Sequence, residues 1–306
     1  MLRIGVIGVG RWGRNHVRAL KELEAEGKVR LEAVCDVRDD VLSNIRNEFK
    51  IPTAKTDHRE ILRYVDAVVI STSIDSLSKV AEDVLTEGVH ALIEKPVATN
   101  VNDAIKLWRI AQSNNVIASP GMIMRFDNTI NKLKELLKNE NIFYIILKRL
   151  SRRPPNMLSY PIILDLGVHD IDLCRYLTDS EISEVIKVQR IRLIHDEILF
   201  AFLKTVSNIH CIIHVDGVSP HKVREIDITT ERYFIRADTT KNQILYQSSL
   251  NMGEKERIIQ VEYREPLKRE LEWFINTVKQ KPADYRPNLY DAVENLRVIE
   301  AIIAKA

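Results

Sequence analysis

The sequence contains few cysteines and glycines, and it has no marked excess of charge of either sign. Cys35, Cys174 and Cys211 are the three cysteines among 306 residues, and no C-x-x-C pair is present. Three cysteines cannot form a disulfide framework, so we expect reduced thiols. Ten glycines and ten prolines are too few for a collagen-like or disordered composition. The formal net charge of +2 argues against nucleic acid or a membrane surface as the partner.

Long apolar runs are also absent. No stretch approaches the roughly 18 consecutive apolar residues that indicate a membrane-spanning helix. The apolar part of Met1–Gly10 is shorter than a signal peptide requires, and Arg11 and Arg14 follow it at once. We therefore expect a cytoplasmic protein. Its apolar content of 45% is enough for a buried core, and its length suggests two domains.

The first 120 residues alternate between strand and helix patterns. Short apolar runs typical of buried parallel strands occur at Ile4–Val9, Arg30–Cys35, Ala67–Ile70, Ala91–Ile93 and Val116–Ser119. Helical patterns between them cover Trp12–Glu26, Asp40–Phe49, Leu77–Glu87 and Val101–Asn114. This alternation predicts an α/β fold with a doubly wound parallel sheet over residues 1–120.

The pattern changes after residue 120. Two helices are predicted at Thr129–Leu137 and Leu164–Tyr176, and two more at Pro266–Lys279 and Leu289–Ala304. Short runs rich in Ile, Val and Thr predict strands at Val185–Arg192, Ile198–Lys204, Ile209–Val215, Arg224–Thr229 and Tyr233–Ala237. We predict a second α/β domain over 121–281 with a mainly antiparallel open sheet. The segment 282–306 is expected to pack back on the first domain.

A G-x-G-x-x-G turn follows the first strand and opens the first helix. Gly8 permits a tight turn, Gly10 a close approach of a pyrophosphate, and Gly13 close packing of helix on strand. Arg11 and Trp12 lie within this turn. The helix N-terminus supplies amide donors for phosphates, so a dinucleotide is the predicted ligand. The alternative is a glycine-rich turn that binds nothing.

An acidic residue ends the second strand, where such folds bind the ribose of the cofactor. The carboxylate of Asp36 can accept hydrogen bonds from a ribose 2′-hydroxyl and would repel a 2′-phosphate. NAD is therefore favoured over NADP. Arg38 weakens this preference because its charge attracts a phosphate.

A Glu-Lys-Pro turn, Glu94 to Pro96, follows the fourth strand. Ligands bind at the carboxyl edge of an open parallel sheet, where Lys95 can stabilise a substrate alkoxide. Taken alone, Lys95 is better explained as an ordinary lysine facing solvent in a loop.

These motifs together carry a family resemblance. GVGRWG, the CD after the second strand, GVHALIEKPVA and DLGVHDID occur in an order that resembles the glucose–fructose oxidoreductase/inositol dehydrogenase (Gfo/Idh/MocA) family. The resemblance covers essentially the whole chain. It implies an NAD(P)-binding Rossmann domain and a C-terminal sheet that forms a homodimer or homotetramer interface. The implied activity is NAD(P)-dependent oxidation or reduction of a sugar or cyclitol.

The DLGVHDID segment contains the residues predicted to transfer the proton in the reaction. Spacings of four and three place Asp165, His169 and Asp172 on one face of a helix. A carboxylate beside an imidazole orients it and raises its basicity. By the resemblance, His169 is the catalytic acid/base, Asp165 its partner or a substrate ligand, and Lys95 a catalytic and cofactor-contacting residue. Asp172 is expected to bind the backbone or another structural partner.

The resemblance also implies further site residues, with one departure from the family pattern. Ser71, Thr72 and Glu94 are expected near the cofactor. The family's Thr-Pro-Asn-x-x-His pattern is replaced here by Thr72-Ser73-Ile74-Asp75-Ser76-Leu77, which lacks its Pro, Asn and His.

Residues 159–172 resemble those of sugar-nucleotide oxidoreductases, in particular UDP-N-acetylglucosamine 3-dehydrogenases. In the basic segment 148–153, Arg152 and Arg153 are candidates to grip a diphosphate, because a guanidinium pairs with phosphate through two hydrogen bonds. A solvated basic loop explains them equally well. Arg125 resembles a residue lining the substrate site, with a structural salt bridge as the alternative.

No metal site is predicted. His210 and His214 are four residues apart, but their surroundings indicate a strand, in which about 13 Å separates them. The sequence thus predicts a dehydrogenase acting on a secondary hydroxyl of a sugar or sugar nucleotide. A free-sugar or cyclitol dehydrogenase and a non-catalytic NAD-binding regulator are the alternatives.

Overall fold

A computed structural model describes residues 1–250, 253 and 255–306. The chain divides into two compact units. The first comprises Met1–Met122 and Leu267–Val293, and the second Ile123–Pro266 and Glu294–Ala306.

The first unit is built on a six-stranded parallel sheet. Its strands are β1 (Arg3–Ile7), β2 (Arg30–Cys35), β3 (Thr53–Lys55), β4 (Ala67–Ile70), β5 (His90–Ile93) and β6 (Ala118–Pro120). Its N-terminal helices are α1 (Arg11–Ala25), α2 (Asp39–Phe49), α3 (Arg59–Leu62), α4 (Ile74–Thr86) and α5 (Val101–Ser113). The spatial order β3-β2-β1-β4-β5-β6 confirms the doubly wound sheet. β3 was not predicted, because its three half-buried residues form no apolar run.

The strand order reverses between β1 and β4, which places the glycine-rich turn at the switch point of the sheet. Backbone hydrogen bonds extend the ladder past the strand ends: Gly8 N–H donates to Cys35 O, and Ser71 N–H donates to Ile7 O. Every residue of β4 and β5 is buried, which explains their continuous apolar sequence.

The second unit contains an eight-stranded, mainly antiparallel sheet. Its strands are β7 (Ile142–Leu150), β8 (Ile182–Arg192), β9 (Glu197–Thr205), β10 (His210–Asp216), β11 (Val223–Thr230), β12 (Tyr233–Asp238), β13 (Gln243–Ser248) and β14 (Arg257–Gln260). They follow the order β14-β13-β12-β11-β7-β10-β9-β8. β7 and β10 pair in parallel, and the other neighbours are antiparallel. The central strand β7 was not predicted, although the mainly antiparallel sheet is confirmed.

One face of this sheet is buried and the other is partly exposed. Ile145 and Leu147 on β7 are buried together with Cys211 and Ile213 on β10. The opposite face presents apolar side chains to the surface, and 37% of Phe202 is exposed. Helices α6 (Asn128–Leu136) and α7 (Val168–Thr178) belong to the same unit.

The last two helices are α8 (Pro266–Gln280) and α9 (Leu289–Lys305). The sequence analysis assigned α8 to the second domain, but its residues from Leu267 onwards group with the first unit. Lys268 of α8 explains this, because it forms ion pairs with Glu26 at 2.7 Å and with Glu22 at 3.2 Å. Conversely, the residues of α9 from Glu294 onwards group with the second unit.

Among the helices of the described residues, none is long and apolar enough to cross a membrane.

Candidate active site

The glycine-rich turn is packed so tightly that its outer glycines cannot carry a side chain. Gly8 has φ +85°, and a Cβ built on it would lie 2.7 Å from the backbone of Ser71. A Cβ on Gly13 would lie 1.8 Å from Gly8 O. The Ser71 hydroxyl donates a hydrogen bond of 2.7 Å to that same carbonyl. The loop after β4, Ser71 and Thr72, therefore fixes the shape of the turn.

The N-terminus of α1 suits an anion. Its N-cap, Gly10, has no side chain, and among the described residues none caps this end and the first turn holds no acid. Arg11 is the first helical residue and is exposed. A Cβ on Gly10 would have only the Arg38 guanidinium near it, at 3.2 Å. Uncapped amides at the positive end of a helix dipole fit the pyrophosphate of a dinucleotide.

Asp36 lies beside this turn at the end of β2, and 6% of it is exposed. Its Oδ2 accepts from Val9 N–H and Arg38 Nη2, and its Oδ1 accepts from Arg38 N–H and Nε, all at 3.0 Å. Burial raises the pKa of Asp36, but the bonds from Arg38 and Val9 outweigh it and the net pKa is lowered. The group is an ionised carboxylate. Since a carboxylate has about four acceptor positions, a ribose hydroxyl has to displace Arg38 from one of them.

Glu94, at the end of β5, is bound by residues of α1. Its Oε1 accepts from Trp12 Nε1 at 2.5 Å and lies 2.8 Å from His16 Nε2. Its Oε2 accepts from Lys95 N–H at 3.2 Å. Burial raises the pKa of Glu94, and the contact with His16 lowers it below its ordinary value. The carboxylate therefore joins the Glu-Lys-Pro turn to the helix that begins in the glycine-rich turn.

Sequence reasoning missed His16. It is wholly buried, and its edge faces the ring of Trp12. The signal was its position four residues after Trp12, which places both on one helix face. Lys95 itself is half-buried and precedes Pro96 across a cis peptide bond.

Asp165 and His169 lie on either side of the start of α7 in the second unit, where an irregular turn leads into the helix. Residues Ile163–Gly167 form a π-helix that continues into α7, instead of the regular helix predicted over Leu164–Tyr176. A Cβ on Gly167 would lie 2.4 Å from the end of the Ile163 side chain, so a larger residue there would require that side chain to shift. Asp165 is 5% exposed and His169 is 8% exposed. π-turns are frequent at functional sites, and this one carries Asp165, while His169 follows in the first turn of α7.

Arg125 and Asp172 form a buried ion pair. Arg125 Nε and Nη2 donate to the two carboxylate oxygens at 2.8 and 2.7 Å. Asn295 of α9 also donates to Asp172 Oδ1 at 3.0 Å. The structural salt bridge, one of the two interpretations of Arg125, is the one observed. The role of Arg125 in lining the substrate site stays a prediction.

Arg153 is also engaged within the protein. Its Nε donates to Asp196 at 2.9–3.0 Å, and its Nη1 donates to the carbonyls of Met157 and Tyr160. Asp196 pairs with this buried guanidinium, and the role of Arg153 as a diphosphate ligand stays a prediction. Its neighbour Arg152 is exposed, and its substrate role stays a prediction.

His210 and His214 lie on β10, and His214 stacks on Phe200 of β9 with ring centroids 4.3 Å apart. Within residues 1–250, 253 and 255–306, no group of three His, Cys, Asp or Glu could hold a metal ion. All three cysteines are free and buried.

Comparisons with known proteins agree with this fold. Residues 2–122 match a family model described as an oxidoreductase family with an NAD-binding Rossmann fold. The chain is 26% identical over 310 residues to UDP-N-acetylglucosamine 3-dehydrogenase of Acidithiobacillus ferrooxidans, covering 99% of this chain and 95% of that protein. It is 32% identical over 193 residues to myo-inositol 2-dehydrogenase of Thermotoga maritima. That alignment spans 60% of this chain and 57% of the relative.

A solved structure of the Acidithiobacillus ferrooxidans enzyme superimposes with a TM-score of 0.90. It is 24% identical in sequence and covers 99% of this chain and 97% of its own, which shows a shared fold. The resemblance found in the sequence motifs is confirmed: residues 2–122 match the model of the Gfo/Idh/MocA oxidoreductase family with its NAD-binding Rossmann fold, and the whole chain shares its fold with a solved dehydrogenase structure.

Proposed function

We propose that the protein is an NAD-dependent dehydrogenase that oxidises a secondary hydroxyl of a sugar nucleotide, with UDP-N-acetylglucosamine as the first substrate to test. The observation that carries the proposal is the uncapped N-terminus of α1 beside the ionised carboxylate of Asp36. The similarity to UDP-N-acetylglucosamine 3-dehydrogenase over 99% of the chain supports the choice of substrate.

The residues of the first unit fit NAD. The amides of the turn Gly8–Gly13 bind the pyrophosphate, and Asp36 accepts from the ribose after one Arg38 bond is released. When bound, NAD supplies the hydride acceptor. Because Asp36 is charged, a 2′-phosphate is repelled, which favours NAD over NADP. Arg38 reduces this discrimination, since its exposed guanidinium can turn towards a phosphate.

Each acid/base residue has a separate role in the proposed reaction. His169 accepts the proton of the substrate hydroxyl, and Asp165 orients its imidazole and stabilises the imidazolium. The ammonium of Lys95 stabilises the negative charge that develops on the substrate oxygen. Glu94 acts on Lys95 through the backbone, because its carboxylate accepts the Lys95 N–H.

The test measures the absorbance of reduced nicotinamide with NAD and UDP-N-acetylglucosamine, free sugars or inositol. We expect Lys95→Ala and His169→Ala to abolish turnover while NAD still quenches the fluorescence of Trp12. The exposed residues Lys138 and His221, changed to Ala, serve as matched controls. Wild-type rates in either active-site variant would refute the assignment.

Two alternatives give different results in the same assay. A signal with only free sugars or inositol indicates a free-sugar or cyclitol dehydrogenase, in line with the similarity to myo-inositol 2-dehydrogenase over 193 residues. Tight NAD binding with no turnover of any substrate indicates a non-catalytic regulator.

We also propose that a second copy of the chain covers the exposed face of the eight-stranded sheet. Phe143, Tyr144, Ile186 and Phe202 on this sheet are all 36% or more exposed, which is unusual for large apolar side chains on neighbouring strands. Sedimentation velocity should give a dimer or tetramer, and Phe202→Glu should shift it towards monomer. A monomeric wild-type protein would contradict this.

A further inference from the structure

The buried face of the eight-stranded sheet changes from apolar to cationic at one end. Arg149 on β7 and Arg224 on β11 lie directly opposite each other in the sheet register. Arg149 lies two residues after the buried Leu147, and Arg224 lies two residues before the buried Ile226. Because side chains alternate between the two faces of a strand, both arginines lie on the inner face of the sheet. Like charges placed opposite each other are unfavourable unless something compensates them.

The positive charge of Arg149 is compensated by a carboxylate of the protein itself. The Nε and Nη2 of Arg149 each lie 2.8 Å from Asp170 Oδ1, and both residues are buried. The second oxygen, Oδ2, accepts no bond within the described part of the chain. The pair therefore accounts for one of the two guanidinium charges.

Arg224 is held by neutral acceptors. Its Nη1 donates to Leu150 O at 2.9 Å and Val223 O at 2.7 Å, and its Nη2 donates to Ser151 Oγ at 3.1 Å. Among the described residues, no carboxylate lies within ion-pair distance of it, and its Nε–H has no acceptor. Three bonds thus fix the guanidinium in place, while the edge formed by Nε and Nη2 keeps donor capacity. That edge is the one that binds an oxyanion through two parallel hydrogen bonds.

The surroundings of Arg224 leave its charge poorly compensated. Burial and the charge of Arg149 together lower the pKa of Arg224 to about 10, although Asp170 and Asp165 offset part of the effect. The guanidinium stays protonated at neutral pH. Burying such a charge without a partner is costly, and a bound anion would remove that cost.

The position of Arg224 links it to the proposed chemistry. Asp165 is close enough to act on it electrostatically, so Arg224 lies in the neighbourhood of the acid/base residues. Ser151, which accepts one of its bonds, directly precedes Arg152 and Arg153.

We propose that Arg224 binds an oxyanion substituent of the substrate, a phosphate or a carboxylate attached to the sugar, and thereby selects anionic over neutral sugars. This rests on the proposed dehydrogenase function and extends it to a specificity-determining residue.

The kinetic test compares wild type and Arg224→Gln on UDP-N-acetylglucosamine, N-acetylglucosamine 1-phosphate, glucuronate, N-acetylglucosamine and inositol. We expect KM for the anionic substrates that are turned over to rise about ten- to hundredfold, the effect of losing a hydrogen bond between charged groups. The kcat and the kinetics of neutral sugars should change little, and Arg224→Lys should recover part of the loss. The nucleotide, phosphate and carboxylate substrates distinguish the source of the oxyanion.

A binding test keeps this inference separate from the proposed function. Calorimetry with inorganic pyrophosphate, at saturating NAD so that the α1 site is filled, needs no turnover. We expect binding to wild type and to the exposed control Arg192→Gln, and loss of binding in Arg224→Gln at an unchanged melting temperature. Equal binding by wild type and Arg224→Gln would overturn the proposal, as would an equal loss of activity on neutral and anionic sugars.

Discussion

Glu270 is the carboxyl group for which the structure makes the sharpest prediction. It lies on α8 with none of its surface exposed, and among the described residues neither of its oxygens has a hydrogen-bond partner. Burial raises the pKa of Glu270 well above its ordinary value, and the nearby charge of Glu94 raises it further. The folded protein therefore keeps this side chain protonated to a higher pH than the unfolded chain does.

Replacing Glu270 by Met should stabilise the protein. The two have similar length, and the change removes buried oxygens whose missing hydrogen bonds cost about 1–3 kcal/mol. The difference in stability between wild type and Glu270→Met should also depend on pH. Above the ordinary value of 4.5, the carboxyl ionises in the unfolded chain but stays protonated in the folded one. Relative to that of Glu270→Met, the free energy of unfolding of wild type then falls by about 1.4 kcal/mol for each pH unit. This decrease ends when the pH reaches the pKa of Glu270 in the folded protein.

Urea unfolding at pH 5, 6, 7 and 8, followed by tryptophan fluorescence, measures both effects. Glu272→Met on the same helix is the control, because Glu272 is 38% exposed and pairs with Lys28 at 2.6 Å. Its effect should stay within about 1 kcal/mol, as for surface ion pairs. A gap between wild type and Glu270→Met that stays constant from pH 5 to 8 would show that Glu270 is ionised in the fold, and the reasoning would fail.

Three further predictions concern the cofactor site and the core of the second unit. Gly13→Ala should abolish NAD binding in a fluorescence titration, because its Cβ would lie 1.8 Å from a backbone oxygen. Asp36→Ser should reduce the preference for NAD over NADP at least about tenfold in kcat/KM, since it removes the repulsive charge and releases Arg38. Arg125→Met should cost about 3–5 kcal/mol in urea unfolding, because it leaves Asp172 buried without its ionic partner. The double change Arg125→Met/Asp172→Leu should restore most of this loss.

The sequence alone predicted the Rossmann half because parallel strands buried on both faces form continuous apolar runs between helices. It missed β7, in which an apolar run over Ile142–Leu147 is followed by the basic residues of segment 148–153. The parallel partner of β7 is β10, about sixty residues further along the chain. No local sequence pattern reveals a pairing between strands that are so far apart in the chain. The centre of the second sheet was therefore not predicted, although its later strands were.

The π-turn at Ile163–Gly167 shows a different limit. The spacing of Asp165 and His169 predicted one regular helix through both residues, but periodicity cannot distinguish a regular helix from one with a wider turn. The close contact that Gly167 makes with Ile163 depends on that wider turn. How closely a side chain at Gly167 would approach Ile163 can therefore be stated only once the backbone is known.

Charge compensation distinguishes the basic segment 148–153 from Arg224. Basic density in segment 148–153 suggested an anion site, yet Lys148, Arg149 and Arg153 each have an acidic partner brought from elsewhere in the fold. Those partners follow the basic segment by 21 to 79 residues, beyond the reach of any motif. Arg224 lies 73 residues after Ser151 in the sequence, but the sheet places it opposite Arg149, and among the described residues no carboxylate lies within ion-pair distance of it. An arginine is available to a ligand when the fold leaves its charge uncompensated, and that property belongs to the tertiary structure and not to the local sequence.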